Sequence, residues 1–319
     1  MIGTEITAAS HWLTQGEVVA IPTETVYGLA ANALNEDAVL KIYTVKNRPT
    51  FNPLIVHVSS IAEFDKYAHS IPSVVFDLAK HFSPGPLTYI LPKKSIIPDL
   101  VTAGHDSVAL RIPAHPLTLQ LLQTLDFPLA APSANPFGYI SPTQATHVED
   151  QLGGQVKYIL DGGNCEVGVE STIVSFLENE PLLLRFGGAD PEEIKKITGS
   201  LNIAKPTENT NPIAPGMLSS HYAPSIPLYF GEVDDLMQDQ DENEVAIINF
   251  CEKKNRYARA TQWVLSPSMS TQEAAKNLFA LLRVLDKQHY KKIIAEPAPN
   301  TGLGLAINDR LRRAAFRNW

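Results

Sequence analysis

Between Val18 and Arg185 the chain is punctuated by apolar runs too short to form helices that bury a face. They are Val18–Ile21, Leu54–Val58, Leu87–Leu91, Val108–Ile112, Leu129–Ala131, Val156–Leu160, Thr172–Ser175 and Leu182–Arg185. Runs of this length, several of them flanked by Pro, read as buried strands, since helices need about 10–12 residues. Segments with helical spacing lie between them, at Glu5–Gln15, Glu36–Lys46, Ile71–Phe82, Pro116–Leu125, Thr143–Leu152 and Pro191–Ser200. In Glu36–Lys46, for example, Val39, Ile42 and Tyr43 fall on one helical face. Some strands follow each other with no helix between, which predicts an α/β domain with a mixed, twisted sheet rather than a regular doubly wound one.

Asn202–Pro215 interrupts this pattern. It is poor in large apolar residues and rich in Pro, Asn and Thr, and reads as a linker. Beyond Pro224 the pattern restarts, with strands at Pro227–Phe230, Glu244–Phe250 and Lys292–Ala295 and helices at Thr271–Asp286 and Leu303–Arg317. The expected organisation is therefore a first domain over 1–200, a linker or lid over 201–224 and a smaller α/β domain over 225–319. A chain of 319 residues has the length for two domains. The acidic run Asp234–Glu244 reads as a solvated loop.

The 44% hydrophobic content suits sizeable cores, and Cys165 and Cys251 are too few for a disulfide framework or a thiolate zinc site. The start, Met1–Glu5, carries no basic segment, and no run of about 18 apolar residues follows it, so the expectation is a cytoplasmic protein with no membrane association. Net charge is -8, which argues against nonspecific coating of nucleic acid. Residues 1–200 hold 12 Lys and Arg against 21 Asp and Glu. Only Arg48, Arg111 and Arg185 supply guanidinium groups there, so with Lys46 they are the first candidates to bind an anionic ligand.

Two familiar nucleotide signatures are missing: no Gly precedes Lys, and Gly302-Leu303-Gly304 lacks the third glycine of a dinucleotide loop. Other segments are more informative. Pro22-Thr23-Glu24-Thr25-Val26-Tyr27-Gly28-Leu29 puts hydroxyls at the end of an apolar strand, where ligand crevices open or where a turn bonds itself. Lys46-Asn47-Arg48-Pro49 places two cations at a helix end, which the helix dipole alone favours, but Asn52-Pro53 and a strand bearing His57 follow. Alternation puts His57 opposite Val56 and Val58. Arg111 shares a strand face with Ala109 and needs a carboxylate, either a structural one or a substrate's. Ala131-Pro132-Ser133-Ala134-Asn135-Pro136, then Gly138 and Ser141-Pro142-Thr143, forms a stiff loop. It either lets a ligand approach the backbone or simply leads into a helix capped by Ser141 or Thr143. Asp161-Gly162-Gly163, Gly168-Val169-Glu170-Ser171-Thr172 and Arg185-Phe186-Gly187-Gly188 complete the series.

In this order the segments resemble the threonylcarbamoyl-AMP synthase family in its long form, a YrdC-like domain over roughly residues 5–200 followed by a C-terminal domain. Ala214-Pro215-Gly216-Met217 with His221-Tyr222-Ala223-Pro224 resembles the family's linker, and Gly302–Gly304 with Asn308-Asp309-Arg310-Leu311 the end of its last domain. The resemblance implies a twisted open mixed sheet with a concave cavity and a smaller Rossmann-like α/β domain. It implies synthesis of threonylcarbamoyl-AMP and pyrophosphate from L-threonine, bicarbonate and ATP, with Mg2+ accompanying the ATP. L-threonine would contact Thr25, His57, Arg111, the backbone at Ala131, and Ser171. ATP would contact Lys46, Arg48, Asn52, Ser107, Ser133, Asn135, Ser141, Arg185 and His221, with Lys46 and Arg48 as the catalytic cations. The implied partners are a threonylcarbamoyl transferase complex acting on tRNA and, as a further class, tRNA or double-stranded RNA itself. The competing reading is a non-catalytic module for structured RNA; the acidic first domain, with no Lys/Arg stripe, counts against it. A third is carbamoyl-adenylate chemistry on another acceptor, for which no additional phosphatase or zinc-binding segment is present.

Overall fold

The computed structural model describes residues 1–204, 212–218 and 220–315. Residues 205–211 of the expected linker, Ser219 and the last two residues of the expected final helix lie outside the described residues. The chain forms two compact units. The first is Met1–Phe137, Pro142–Glu166 and Glu170–Leu218; the second is Gly138–Ser141, Val167–Val169 and Ser219–Trp319.

The first unit is built on β1 (Ile2–Gly3), β2 (Val19–Ile21), β3 (Gly28–Asn32), β4 (Ile55–His57), β5 (Leu87–Pro92), β6 (Ser107–Arg111), β7 (Leu129–Ala130), β8 (Tyr158–Leu160), β9 (Thr172–Ser175), β10 (Leu182–Arg185) and β11 (Asn202–Ile203). These form one mixed sheet in the order β1-β8-β2-β3-β7-β4-β6-β5-β9-β10-β11. The pair β4–β6 is parallel, whereas β5–β6 and β4–β7 are antiparallel. The helices are α1 (Ile6–Thr14), α2 (Glu36–Lys46), α3 (Phe64–Tyr67), α4 (Ser73–Phe82), α5 (Asp99–Thr102), α6 (Pro116–Thr124), α7 (Ala145–Leu152) and α8 (Pro191–Thr198).

Strand alternation sorts the side chains onto two faces. Ala20, Leu29, Val56, Tyr89, Leu110, Val174 and Leu183 join the apolar sides of α2, α4, α7 and α8 in the principal core. On the opposite face, Val19, Ile21, Ala30 and Leu129 are covered by Leu13 of α1 and by Leu121 and Leu122 of α6. The rest of that face carries Ile55, Ile90, Ala109, Ile173 and Leu184. Among the described residues its apolar cluster contains no helical one; Ile213, Ala214 and Met217 pack there instead. This helix-free stretch positions the site.

Some elements escaped the sequence reading. Gly28-Leu29-Ala30-Ala31-Asn32 has small residues and no polar alternation, yet it forms β3, buried between β2 and β7 except at Asn32. The first residues of the expected linker, Asn202–Ile203, add an edge strand beside β10. Neither Ser141 nor Thr143 caps a helix: α7 starts at Ala145, after Gln144.

The second unit has β12 (Leu228–Phe230), β13 (Val245–Asn249), β14 (Thr261–Val264) and β15 (Lys292–Ala295), all parallel, in the order β12-β15-β13-β14. Its helices are α9 (Val233–Leu236), α10 (Thr271–Asp286) and α11 (Gly304–Ala315). Val245, Ile247 and Ile294 pack on Val233, Met237 and Tyr257. The expected acidic loop therefore begins as α9, with Asp234 accepting the Tyr257 hydroxyl at 2.7 Å. The Ser270 hydroxyl caps α10 by accepting from the Glu273 N–H. No described helix is long and apolar enough to cross a membrane.

Candidate active site

The segments singled out in the sequence meet through their backbones in the first unit. The Leu29 N–H donates to Pro132 O at 2.7 Å, and the Ala134 N–H to Tyr27 O at 2.8 Å. Gly28 and Ser133 form an isolated antiparallel bridge. The Tyr27 hydroxyl donates to Gly163 O at 2.8 Å and accepts from the Gly162 N–H at 3.1 Å. The Phe137 N–H donates to Lys46 O at 2.8 Å. Gly187 lies so close to the Glu170–Ser171 backbone that a Cβ there would stand 2.3 Å from Glu170 O, so only glycine fits.

One group of side chains surrounds Arg111. In-register pairing sets His57 opposite Arg111 on the neighbouring strand, on the same face as Ile55 and Ala109. The Arg111 Nη2 donates to Glu24 Oε1 at 2.6 Å and to Thr25 Oγ1 at 2.9 Å, and Nε donates to Gly85 O at 3.2 Å. The other Glu24 oxygen accepts the Ala114 N–H at 2.9 Å. Of the two carboxylates open to Arg111, the structural one is thus present in the chain. Among the described residues, Nη1 donates no hydrogen bond. Burial, and then the Arg111 charge, pull the His57 imidazole down to about 3, so it is neutral at pH 7. Its Nδ1 has no hydrogen-bond partner. The Ala131 N–H donates to Ile55 O at 2.9 Å.

Ser171 and Arg185 form an adjoining pair. Arg185 donates Nε and Nη2 to Ser171 O at 3.0 and 2.9 Å, and Nη2 also reaches Ser171 Oγ at 3.1 Å. Its Nη1 donates to Pro215 O at 3.1 Å, which ties the middle of the expected lid to β10. Thr88 Oγ1 shares a 2.7 Å hydrogen bond with Ser171 Oγ.

A second group surrounds Lys46. Asn35 caps α2 by accepting the Ala38 N–H, and Asn47 ends it in a left-handed conformation at φ 50°. Lys46 is only 1% exposed and donates Nζ to Ser133 O and Asn135 O. No ion pair holds it among the described residues. Burial first, and then the charge of Arg48, push its pKa well below the ordinary lysine value. Arg48 donates Nε to Asn52 O at 3.1 Å and Nη2 to Pro53 O at 2.8 Å, and its guanidinium lies 5.8 Å from the Phe137 ring centre. The Asn52 side chain is fully buried, yet neither its oxygen nor its nitrogen has a hydrogen-bond partner. An orphaned buried amide of this kind costs about 1–3 kcal/mol, which a polar ligand would recover. Ser107 opens β6, buried opposite Pro92.

Ser141 and His221 belong to the second unit. Ser141 is fully buried. The His221 N–H donates to Arg313 O at 3.2 Å, and its ring stands edge-on to Tyr222 at 4.1 Å. Sequence reasoning missed Glu24 and Thr88. The signal for Glu24 was a single carboxylate between two threonines at a strand end; Thr88 gave none, because its partner comes from another strand. Cys165 is buried, its thiol pushed up to about 12, and it is unsuited to nucleophilic work. The described residues contain no group of three His, Cys, Asp or Glu placed to hold a metal. This cationic and hydroxyl-rich donor set does not suit a protein-held Mg2+.

A profile of the Sua5/YciO/YrdC family, described as telomere recombination, matches residues 11–187. A profile described as threonylcarbamoyl-AMP synthase, C-terminal domain, matches residues 189–316. A threonylcarbamoyl-AMP synthase of Bacillus subtilis is 42% identical, over 98% of this chain and 93% of its own. One from Pyrococcus abyssi is 41% identical, over 98% and 94%. The crystal structure of P. abyssi Sua5 complexed with L-threonine superposes with a TM-score of 0.91 at 39% identity, covering 99% of this chain and 97% of that one.

Proposed function

The chain belongs to the threonylcarbamoyl-AMP synthase family, and from that premise we infer that it makes threonylcarbamoyl-AMP and pyrophosphate from L-threonine, bicarbonate and ATP. The observation that carries this reading is the match over 98% of the chain. The threonine amine adds to CO2 from bicarbonate to give a carbamate. A carbamate oxygen attacks the α-phosphorus, forming a new P–O bond, and the bond to the β-phosphate oxygen breaks to release pyrophosphate. No protein nucleophile is needed; positioning and charge stabilisation provide the catalysis.

In this reading Thr25, His57, Arg111, Ser171 and the backbone at Ala131 hold threonine. The carboxylate of threonine meets Arg111 through Nη1, since Nη2 is engaged by Glu24 and Thr25. A neutral His57 presents nitrogen lone pair or N–H without a competing charge. ATP is held by Lys46, Arg48, Asn52, Ser107, Ser133, Asn135, Ser141, Arg185 and His221. The buried, carbonyl-bound Lys46 beside Arg48 and the orphaned Asn52 amide support that assignment. Mg2+ arrives with the nucleotide, held by phosphate oxygens as part of the substrate. The segment carrying Ala214 and Met217 serves as the lid that excludes water from the labile carbamate and mixed anhydride. The product passes to a threonylcarbamoyl transferase complex that modifies tRNA, which places the work in the cytoplasm.

The test is to incubate the pure protein with L-threonine, labelled bicarbonate and ATP. Threonine-dependent pyrophosphate and a labelled threonylcarbamoyl nucleotide are expected. Pyrophosphate release that ignores threonine rejects the reading.

A further inference from the structure

Two short pieces that precede residue 200, Gly138–Ser141 and Val167–Val169, belong to the second compact unit. Both meet α10. Arg283, buried on that helix, donates Nη2 to Ile140 O and Nε to Ser141 O at 3.3 Å. Its guanidinium lies over the Tyr139 ring, 5.4 Å from the centre. Near the end of the helix, Asp286 accepts the Tyr139 hydroxyl and the N–H groups of Ser225 and Ile226, the latter at 2.6 and 3.0 Å. The Ala223 N–H donates to Gly138 O at 3.0 Å. Near the helix start, Gly168 sits at φ 81°, and a Cβ there would stand 2.5 Å from Ala275 O and Lys276 Cα. Both a left-handed backbone and the contact with α10 therefore demand glycine at this position.

The contacts of Arg283 have a specific geometric consequence. A peptide group is planar, so once its two flanking Cα atoms are placed by the chain, fixing the carbonyl oxygen fixes the orientation of the whole plane. Arg283 holds the carbonyls on both sides of the Ser141 Cα. Both flanking planes are thereby set, and with them the direction of the Ser141 Cα–Cβ bond. A guanidinium suits this because its donors are fixed in one rigid plane. Asp286 completes the clamp by holding Tyr139 from the far end of the ring over which Arg283 lies.

We propose that Arg283 and Asp286 are positioning residues for the nucleotide: α10 of the second unit sets the geometry of Gly138–Ser141, and so aims Ser141 at ATP. This rests on the assignment of Ser141 to ATP in the reading above. It gives the second unit a task, that of a template for one ligand-bearing loop. The clamp touches no residue assigned to threonine, so its loss acts on one substrate.

The experiment uses the full chain and calorimetric titration with a non-hydrolysable ATP analogue and, separately, with L-threonine. Arg283→Ala is expected to weaken analogue binding about tenfold or more, since misplacing a binding group by about 1 Å has effects of that size or larger. Threonine binding is expected to stay within about twofold, and Arg283→Lys and Asp286→Asn to fall between wild type and Arg283→Ala. A merely structural role would lower both affinities together through the folded fraction, which thermal unfolding of each variant measures. If Arg283→Ala does not fold, Arg283→Lys and Tyr139→Phe carry the same test. Wild-type analogue affinity in the folded variants overturns the inference, as does equal loss for threonine. A wild type that releases threonine-dependent pyrophosphate while its variants bind the analogue unchanged rejects the clamp alone. A wild type that binds no analogue rejects the ATP assignment with it.

Discussion

The first unit buries two cationic centres and keeps them in opposite ways. Arg111 is paired within the chain: Glu24 and Thr25 hold Nη2 and Gly85 holds Nε, so the guanidinium is fixed with Nη1 left for a ligand. Among the described residues Lys46 has carbonyl oxygens but no carboxylate, and the side-chain amide of Asn52, whose backbone carbonyl accepts from Arg48, has no partner. The first centre is preorganised and suits a small ligand of fixed shape carrying one carboxylate. The second holds positive charge at an energetic cost that a polyanion would relieve. Fold stability should therefore depend on the first centre and ligand affinity on the second.

The largest effect that would break this contrast lies at Arg111. Arg111→Ala leaves Glu24 buried without its partner and should cost about 3–5 kcal/mol of stability, read from denaturant melts. Glu24→Gln combined with Arg111→Met should recover most of that stability without recovering threonine affinity. Recovery of both would show that Arg111 serves only the fold.

The second effect is at Lys46. Lys46→Met should lower ATP-dependent kcat/KM about 100-fold, equivalent to about 2.7 kcal/mol, while threonine affinity changes little. A pH effect accompanies it. The Lys46 pKa is depressed in the free protein, and a bound triphosphate stabilises the ammonium and raises that pKa. At pH values above the depressed pKa of the free protein, ATP binding should therefore take up protons, and affinity should fall as pH rises through that range. Calorimetry in buffers of different ionisation enthalpy measures the uptake, and Lys46→Met should abolish it. Proton release on binding would contradict the assignment.

The smallest effect is at Asn52. Asn52→Ala removes an unsatisfied buried amide, so stability should hold or rise, while the KM for ATP should increase about tenfold, about 1.4 kcal/mol. A stability loss beyond about 1 kcal/mol with unchanged KM would make Asn52 a structural residue.

Much of this was legible in one dimension. The strands Thr172–Ser175, Leu182–Arg185 and Lys292–Ala295 and the helices Glu36–Lys46 and Thr271–Asp286 coincide with their expected bounds, because apolar period and end signals are local properties. The face of His57 and Arg111 followed from alternation alone. β3 was not legible, since Gly-Leu-Ala-Ala-Asn has no period to read; its strand character comes from pairing with β2 and β7. The Arg111 carboxylate was anticipated as a class but not as a residue.

The sequence by itself determined the α/β alternation, the scarcity of arginine in the first 200 residues and the ordered motifs that mark the family. Tertiary structure decided which of those motifs touch. It gave Glu24 to Arg111, Ser171 to Arg185, the carbonyls of Ser133 and Asn135 to Lys46, and those of Ile140 and Ser141 to Arg283. The physical reason is that hydrogen-bond partners separated by 14 to 143 residues are chosen by strand order and helix placement, which no local pattern encodes.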